Sequence, residues 1–536
     1  MNRKRLIIFH PFLFALYPVL LLFSENQDEA CVRDVARAAG ITLVVAIGTY
    51  ALLGRLLRSS QKAGAIVSLS LLLFFIYGRV YVDYVFELRL RYVICQERVF
   101  VVVWCLLIAL VVCGIIRTRS MLPNLTSFLN VAGVVLVAMP LASIVWHAAL
   151  GRGHVSSEAK WLRHVDQWTA KTLASLPEPK EPLPDIYYII LDEYAREDIL
   201  RNCFGYDNSE FVGRLERRGF YVAPCSRCNY MSTYWSIASS LNLDHVQTLM
   251  RDIETECADR RLIGTMIRYN RTSVLLKRIG YKFVFFPSTY EGTETNPNAD
   301  MFMCRAGINW NEFDYALAES SMLRVINRVL SSQRRSHILY TFEHLRDVPR
   351  VKEPTFTFAH ITIPHHPFIF DARGGFPKQE RTSKTLPGAE AYRAGYLGQL
   401  EYATKRTEQV IDEILQRSEV PPVIIIQGDH GPGGEIPTIG RANPLKGEAY
   451  LGSRNVVELV PGRRYTIQQI RAPILNAYYL PGHRKSLYET ITPANTFRVV
   501  LNEYFGANLP LIKDTTYKAW WSSKKVHQDS FKPVEK

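Results

Sequence analysis

The feature that most limits how this chain can fold is where its apolar residues fall. Up to Leu150 the sequence is a series of aliphatic and aromatic runs joined by short charged loops, and beyond Gly151 its composition is mixed. Five runs, Leu6 to Phe23, Ile41 to Leu57, Ile66 to Phe86, Val99 to Ile116 and Phe128 to Leu150, approach the roughly 20 residues that a helix needs to cross a hydrocarbon core. With no water in that core, each segment must satisfy its own backbone N–H and C=O groups, which dictates helices. Residues 1–150 are therefore predicted to form a multi-pass bundle of about five transmembrane helices. The third run carries Arg79 and Asp83, which either pair across one helical turn or mark a span ending near Gly78. Arg3, Lys4 and Arg5 ahead of the first run suggest a signal peptide. Phe23-Ser24-Glu25 offers no small-residue cleavage site, however, so the run reads as an uncleaved anchor.

Lysines and arginines in the short loops set the orientation. Arg3, Lys4, Arg5, Arg55, Arg58, Lys62, Arg117 and Arg119 fall on one side, which the positive-inside rule assigns to the cytoplasm. With an odd number of spans, the long C-terminal portion is then expected outside it. The excess of 64 Lys and Arg over 50 Asp and Glu, a net +14, suits anionic headgroups. Nothing has the basic and aromatic interleaving of a nucleic-acid groove, so no nucleic-acid partner is expected. Cys31, Cys95, Cys203, Cys225, Cys228, Cys257 and Cys304 lie where an oxidising compartment permits disulfides. Cys225-x-x-Cys228, with no second pair at zinc-ribbon spacing, reads as a disulfide rather than a metal site.

Residues 151–184 join the two parts. Trp161, Leu162, Val165 and Trp168 suggest a juxtamembrane helix at the interface, followed by the Pro-rich linker from Pro177 to Pro184. Across 185–512 short buried runs alternate with helical stretches. Strands are expected at Ile186 to Leu191, Lys282 to Phe286, Thr355 to Ile363 and Val423 to Gln427, and helices at Glu210 to Arg218, Leu262 to Ile279 and Ala389 to Arg417. That alternation predicts an α/β domain with a mainly parallel sheet covered by helices on both faces. Residues 513–536 form a polar C-terminal tail.

In such sheets chemistry sits just past the carboxyl ends of strands. The first predicted strand ends at Asp192-Glu193, and Val423 to Gly428 ends at Asp429-His430-Gly431. A carboxylate at one strand end with an Asp-His pair at another makes a site for a hard divalent cation, although each alone is equally at home as a cap or turn. Ser232, Thr233 and Ser236 place hydroxyls near a helix start, where the dipole favours a deprotonated oxygen, and the residues alone do not choose among them. His365 and His366, fixed between Pro364 and Pro367, can grip an anionic oxygen or protonate a leaving group, whereas His360, inside the apolar run, reads as a packed core histidine.

Together these stretches resemble the alkaline phosphatase superfamily, in its membrane-bound sulfatase-like hydrolase and transferase branch, related to lipoteichoic acid synthase and the lipid A phosphoethanolamine transferases. The resemblance is carried by Pro184 to Asp192, Gly205 to Ser209, Arg218 to Tyr221, Thr233 with Ser239 to Asn242, the His365 loop, Gly428 to Gly433 and Leu475 to Pro481. It implies a sulfatase-like catalytic domain holding one divalent metal ion, zinc or manganese. Asp192, Thr233, Asp429 and His430 would be ligands, Thr233 also the nucleophile, and His365 the contact to the transferred group or leaving oxygen. Two departures leave alternatives. The family commonly carries Asp-Gly-Tyr where this chain has Asp192-Glu193-Tyr194, and the phosphoethanolamine branch sets its acid three residues before an Arg, a spacing that selects Glu193 against Arg196. His366 stands where relatives more often have Pro.

The implied chemistry is double displacement through a phospho-threonine, ending on water or an acceptor hydroxyl. The C/S-x-P-x-R motif that true sulfatases use to make formylglycine is missing after Thr233, which ranks phosphoryl transfer or phosphoester hydrolysis above sulfate-ester hydrolysis. Five spans favour a membrane lipid or lipid-linked donor and an envelope glycan or lipid acceptor. The implied setting is a bacterial inner (plasma) membrane with the catalytic domain on the extracytoplasmic side. A catalytically silent component of envelope polysaccharide assembly is the competing class.

Overall fold

The computed structural model describes residues 7–27, 32–81, 97–118, 122–150, 154–178, 182–305, 310–377, 389–433, 456–518 and 525–534. The chain forms two compact units, one of Met1–Gly153 with Trp310–Ser331, the other of His154–Asn309 with Ser332–Lys536.

In the first unit four helices, Val32–Leu57, Ser60–Val80, Val99–Arg117 and Pro123–Trp146, are long and apolar enough to cross a membrane. The fifth apolar helix, His10–Glu25, is shorter at 16 residues. Leu52, Leu56, Val102, Leu106, Leu110, Val131, Met139 and Val145 are exposed, the pattern of helices that face lipid tails. Arg79 pairs with Glu25, Nη1 to Oε1 at 3.2 Å, and Asp83 lies outside the described residues.

Trp310–Ser331 belongs to this unit although the sequence around it reads as globular. Its helix Glu312–Glu319 sets Phe313 among Val19, Leu22, Val35 and Ala38. Arg324, buried, donates to Glu97 at 2.6 Å and to Glu319 at 3.3 Å. Gly78 passes so close that a Cβ there would fall 2.1 Å from the Glu319 carbonyl oxygen.

The second unit is built on a seven-stranded sheet. In chain order its strands are β1 (Ile186–Leu191), β2 (Tyr221–Val222), β3 (Lys282–Phe286), β4 (Met301–Phe302), β5 (Thr355–Ile361), β6 (Val423–Gln427) and β7 (Asn476–Tyr479). They lie in the order β2-β7-β6-β1-β5-β3-β4, parallel except where β7 pairs with β6 and β2. Every residue of β1, β5 and β6 is buried, because helices cover both faces. Tyr187, Ile189 and Leu191 pack on one side with Tyr392, Tyr396 and Leu400 of the Ala389–Arg417 helix. Ile186, Tyr188 and Ile190 face the other side, with Trp235, Ile237 and Phe497.

Three expectations change. Leu262 to Ile279 is two helices, Arg260–Arg268 and Arg271–Ile279, because the Asn270 side chain accepts from Ser273 N at 2.8 Å and starts a new helix. Trp161 of the His154–Ser175 helix is fully buried in the second unit's core and donates to Tyr269 O at 2.9 Å, rather than resting in an interface. Cys225 and Cys228 are free thiols, the first exposed and the second buried.

Candidate active site and metal centre

The neighbouring parallel strands β1, β5 and β6 end side by side, and the loops that follow converge. Asp192 N donates to Ile361 O at 3.0 Å and His365 N to Asp192 O at 3.0 Å, which ties the histidine loop to the end of β1. Gly428, just past β6, is required by packing, since a Cβ would sit 2.4 Å from Tyr194 O. From this approach Asp429 Oδ1 accepts from Glu193 N at 3.1 Å and from His430 N at 2.9 Å.

Thr233 is the first residue of the helix Thr233–Leu241, at the positive end of its dipole. The structure separates the three hydroxyls that the sequence left open. Thr233 Oγ1 is 3.1 Å from His430 Nε2, Ser236 Oγ donates to Asp429 O at 2.6 Å and fixes that loop, and Ser232 makes no side-chain cap bond.

Asp192, Asp429 and His430 present ligand atoms all within 4.8 Å of one another, and Glu193, His365 and His366 form an adjacent group on the same criterion. Among the described residues, Asp192 Oδ1, Glu193 Oε2 and Asp429 Oδ2 are buried with no hydrogen-bond partner. Buried carboxylate oxygens left unpaired are strongly disfavoured, and a cation held by Asp192 and Asp429 would relieve two of them. Two carboxylates, an imidazole nitrogen and a hydroxyl are a donor set that suits one divalent ion.

The electrostatics agree with that reading. Burial, and then the Asp192 charge, push the Asp429 carboxyl well above the usual carboxylate range. Burial would raise Asp192 too, but His365, His360 and His430 hold it below that range. Burial, and then the Arg471 guanidinium, keep His430 well below its ordinary value, so its ring is neutral, and Nδ1, 3.0 Å from Gly431 O, carries the proton. Burial works against protonating His365, yet the Glu193 and Asp192 charges push its pKa up to about 9.

Glu193 occupies the position where the resembled family carries glycine, and its φ is +63°. A side chain in this left-handed region costs about 1–2 kcal/mol. It is held by Tyr396 OH donating to its carbonyl at 2.8 Å and by Arg471 Nη1 donating to Oε1 at 3.0 Å. His365 Nε2 lies 3.8 Å from the same carboxylate oxygen. Arg196, the partner suggested by spacing, is not brought to the cluster: it pairs with Asp198 at 2.7 Å and donates to Ser226 O at 2.9 Å.

No protein-family model matches the chain, and no curated protein matches it. Solved structures do. The integral membrane lipooligosaccharide phosphoethanolamine transferase A from Neisseria meningitidis is 12% identical, with a TM-score of 0.36 over 92% of this chain and 95% of that one. The C-terminal periplasmic domain of EptC from Escherichia coli, in complex with Zn, is 11% identical over 66% of this chain and 94% of its own, TM-score 0.37. A 2-O GAG sulfatase is 13% identical over 63% and 78%, TM-score 0.37.

Two site residues are illegible in the sequence. Arg471, the last residue of the short helix Ile467–Arg471, reads as an ordinary basic helix end; in the fold it is buried and spans Glu193, His430 and Met231 O. His360, expected to be a packed core histidine, is buried and bonded to Thr293 Oγ1 at 2.7 Å, but its Nε2 lies 3.5 Å from Asp192 Oδ2 and so also borders the cluster. An ionisable residue inside an apolar run is the one signal that could have flagged His360, and Arg471 has no such signal.

Proposed function

We propose that this protein is a membrane-anchored, metal-dependent phosphoryl-group transferase or phosphoester hydrolase with Thr233 as nucleophile. The observation that carries the reading is the Thr233 hydroxyl at a helix start, 3.1 Å from His430 Nε2 and beside two buried, incompletely bonded carboxylates. Asp192, Asp429, His430 and Thr233 would hold one divalent cation, zinc or manganese, with Glu193 as the alternative carboxylate. Such an ion supplies Lewis acidity, lowering the pKa of a hydroxyl and offsetting charge on phosphoryl oxygens. The helix dipole at Thr233 favours negative charge developing on Oγ1. Thr233 attacks as the alkoxide, its hydroxyl proton released to solvent beforehand and the alkoxide re-formed when the group leaves; as the Thr233 O–P bond forms, the donor P–O bond breaks, and His365, held protonated at neutral pH, gives its proton to the departing oxygen. The same histidine, once neutral, takes a proton from the water or acceptor hydroxyl that releases the group from Thr233.

The apolar helices of the first unit support a lipid or lipid-linked donor and an envelope glycan or lipid acceptor. The loop charges support an extracytoplasmic catalytic domain on a bacterial inner membrane. Phosphorus is favoured over sulfur because Thr233 cannot become formylglycine. The test is to incubate the full-length protein with metal and a phosphodiester donor, quench in acid and map the peptides. A mass increase confined to the peptide containing Thr233, absent after Asp429→Asn, supports the reading; no adduct and no metal-dependent turnover would refute it.

A further inference from the structure

One helix holds both of the loops that carry Glu193 and His365. Tyr396, Gln399 and Tyr402 stand three residues apart on the Ala389–Arg417 helix, which sets them along one face. Tyr396 OH donates to Glu193 O at 2.8 Å. One turn on, the fully buried Gln399 grips the histidine loop at both ends. Its Nε2 donates to His365 O at 2.6 Å, and its Oε1 accepts from Ile369 N at 2.8 Å and from Phe370 N at 3.2 Å. Tyr402 then stacks on Phe370, with ring centroids 4.5 Å apart. An amide brings the donor and the acceptor together, whereas an ionised carboxylate of the same shape only accepts. His365 is thereby clamped through its backbone on two sides, N–H to Asp192 O at 3.0 Å and C=O to Gln399, while its ring Nδ1 donates to His366 O. These bonds leave Nε2 directed at the cluster, 3.8 Å from Glu193 Oε1.

We propose that Gln399 is a positioning residue, which aims Nε2 of His365 at the oxygen that departs in the reaction. This rests on the phosphoryl-transfer reading and names the group that gives its acid a fixed direction. Proton transfer needs hydrogen-bond reach, and a displacement of about 1 Å costs about 10²-fold in rate. All three bonds of the Gln399 amide go to the backbone of this one loop, so its contribution passes through His365.

The test is a double-mutant cycle in the full-length, metal-loaded protein: wild type, Gln399→Met, His365→Asn and the pair, each on an alkyl and a p-nitrophenyl phosphodiester. Gln399→Met, close in size and unable to make these bonds, is expected to lower kcat on the alkyl ester by about 10–100-fold and far less on the p-nitrophenyl ester, whose leaving group needs no proton. In the His365→Asn background the same change is expected to cost nothing further, because the acid it aims is gone. Gln399→Glu, which keeps an acceptor for Ile369 and Phe370, is expected to fall between wild type and Gln399→Met, and it carries the same cycle should Gln399→Met fail to fold. Elemental analysis reads bound metal, expected unchanged. Hydrogen exchange reads the Ile369 and Phe370 amides, expected to exchange faster in Gln399→Met. Equal losses on the two esters, additive losses in the cycle, metal lost with activity, or amides that exchange at the wild-type rate would overturn the proposal. A wild type inert on both esters would instead refute the phosphoryl-transfer reading, and the proposal with it.

Discussion

Replacing Asp429 by Asn separates charge from shape at the centre of the site. Asp192 and Asp429 are both buried, with ligand oxygens within 4.8 Å. At an effective dielectric of about 20, two charges that far apart repel by about 3.5 kcal/mol. Proton uptake by Asp429 relieves part of this in the metal-free protein, leaving about 1–3 kcal/mol. The amide oxygen keeps the bonds from Glu193 N and His430 N, and the amide nitrogen replaces the unbonded Oδ2. In chelator, Asp429→Asn is therefore expected to melt about 1–6 °C above wild type, at roughly 1–2 °C per kcal/mol for a domain this large. The sign with pH follows from the raised folded-state pKa of Asp429. Stability tied to its proton is present at low pH and lost as pH rises, so the gap between variant and wild type widens upward in pH. With metal at a hundred times its Kd, wild type gains about 2.7 kcal/mol and the variant gains little. Differential scanning of the detergent-solubilised protein, with and without metal, measures all four cases. A variant that melts below wild type in chelator and still responds fully to metal would refute the reasoning.

Other outcomes follow from the same geometry. Thr233→Ala is expected to lower phosphodiester turnover by about 10³-fold or more, with Thr233→Ser retaining part of it, read in a steady-state assay. His365→Asn should slow turnover of an alkyl ester by about 10²–10⁴ and of a p-nitrophenyl ester far less, because p-nitrophenolate leaves without a proton; equal losses would argue against His365 as the acid. In the first unit, Arg324→Gln leaves Glu97 and Glu319 without their buried partner, at a cost of about 2–3 kcal/mol after discounting their exposure. Gly78→Ala drives a methyl into Glu319 O. Limited proteolysis should then cut both variants faster within Trp310–Ser331, and an unchanged digest would contradict the packing described.

What the sequence made legible follows from burial. The strands Ile186–Leu191, Lys282–Phe286 and Val423–Gln427 stand out because central parallel strands, covered on both faces, appear as unbroken apolar runs. The antiparallel edge around β7 and the two-residue β2 lack that signature. Asp192, Asp429 and His430 could be picked out because each sits at the end of a strand, whereas position left Thr233 level with Ser232 and Ser236 and only the family resemblance selected it; the fold brings these four together. Arg471 stayed hidden because a basic residue at a helix end is ordinary, and only β7's position beside β6 carries it to the cluster. Trp310–Ser331 stayed hidden for a related reason: its partners Val19, Val35 and Gly78 lie far away in sequence, and its own composition does not differ from the soluble segments around it.

Anomalous diffraction from crystals of the metal-loaded protein would test the central claim most directly. The account predicts one strong peak at about 2.0–2.2 Å from oxygen or nitrogen atoms of Asp192, Asp429, His430 and Thr233. Crystals grown with zinc or manganese that show no peak there, and Thr233 Oγ1 still hydrogen-bonded to His430 Nε2, would contradict it.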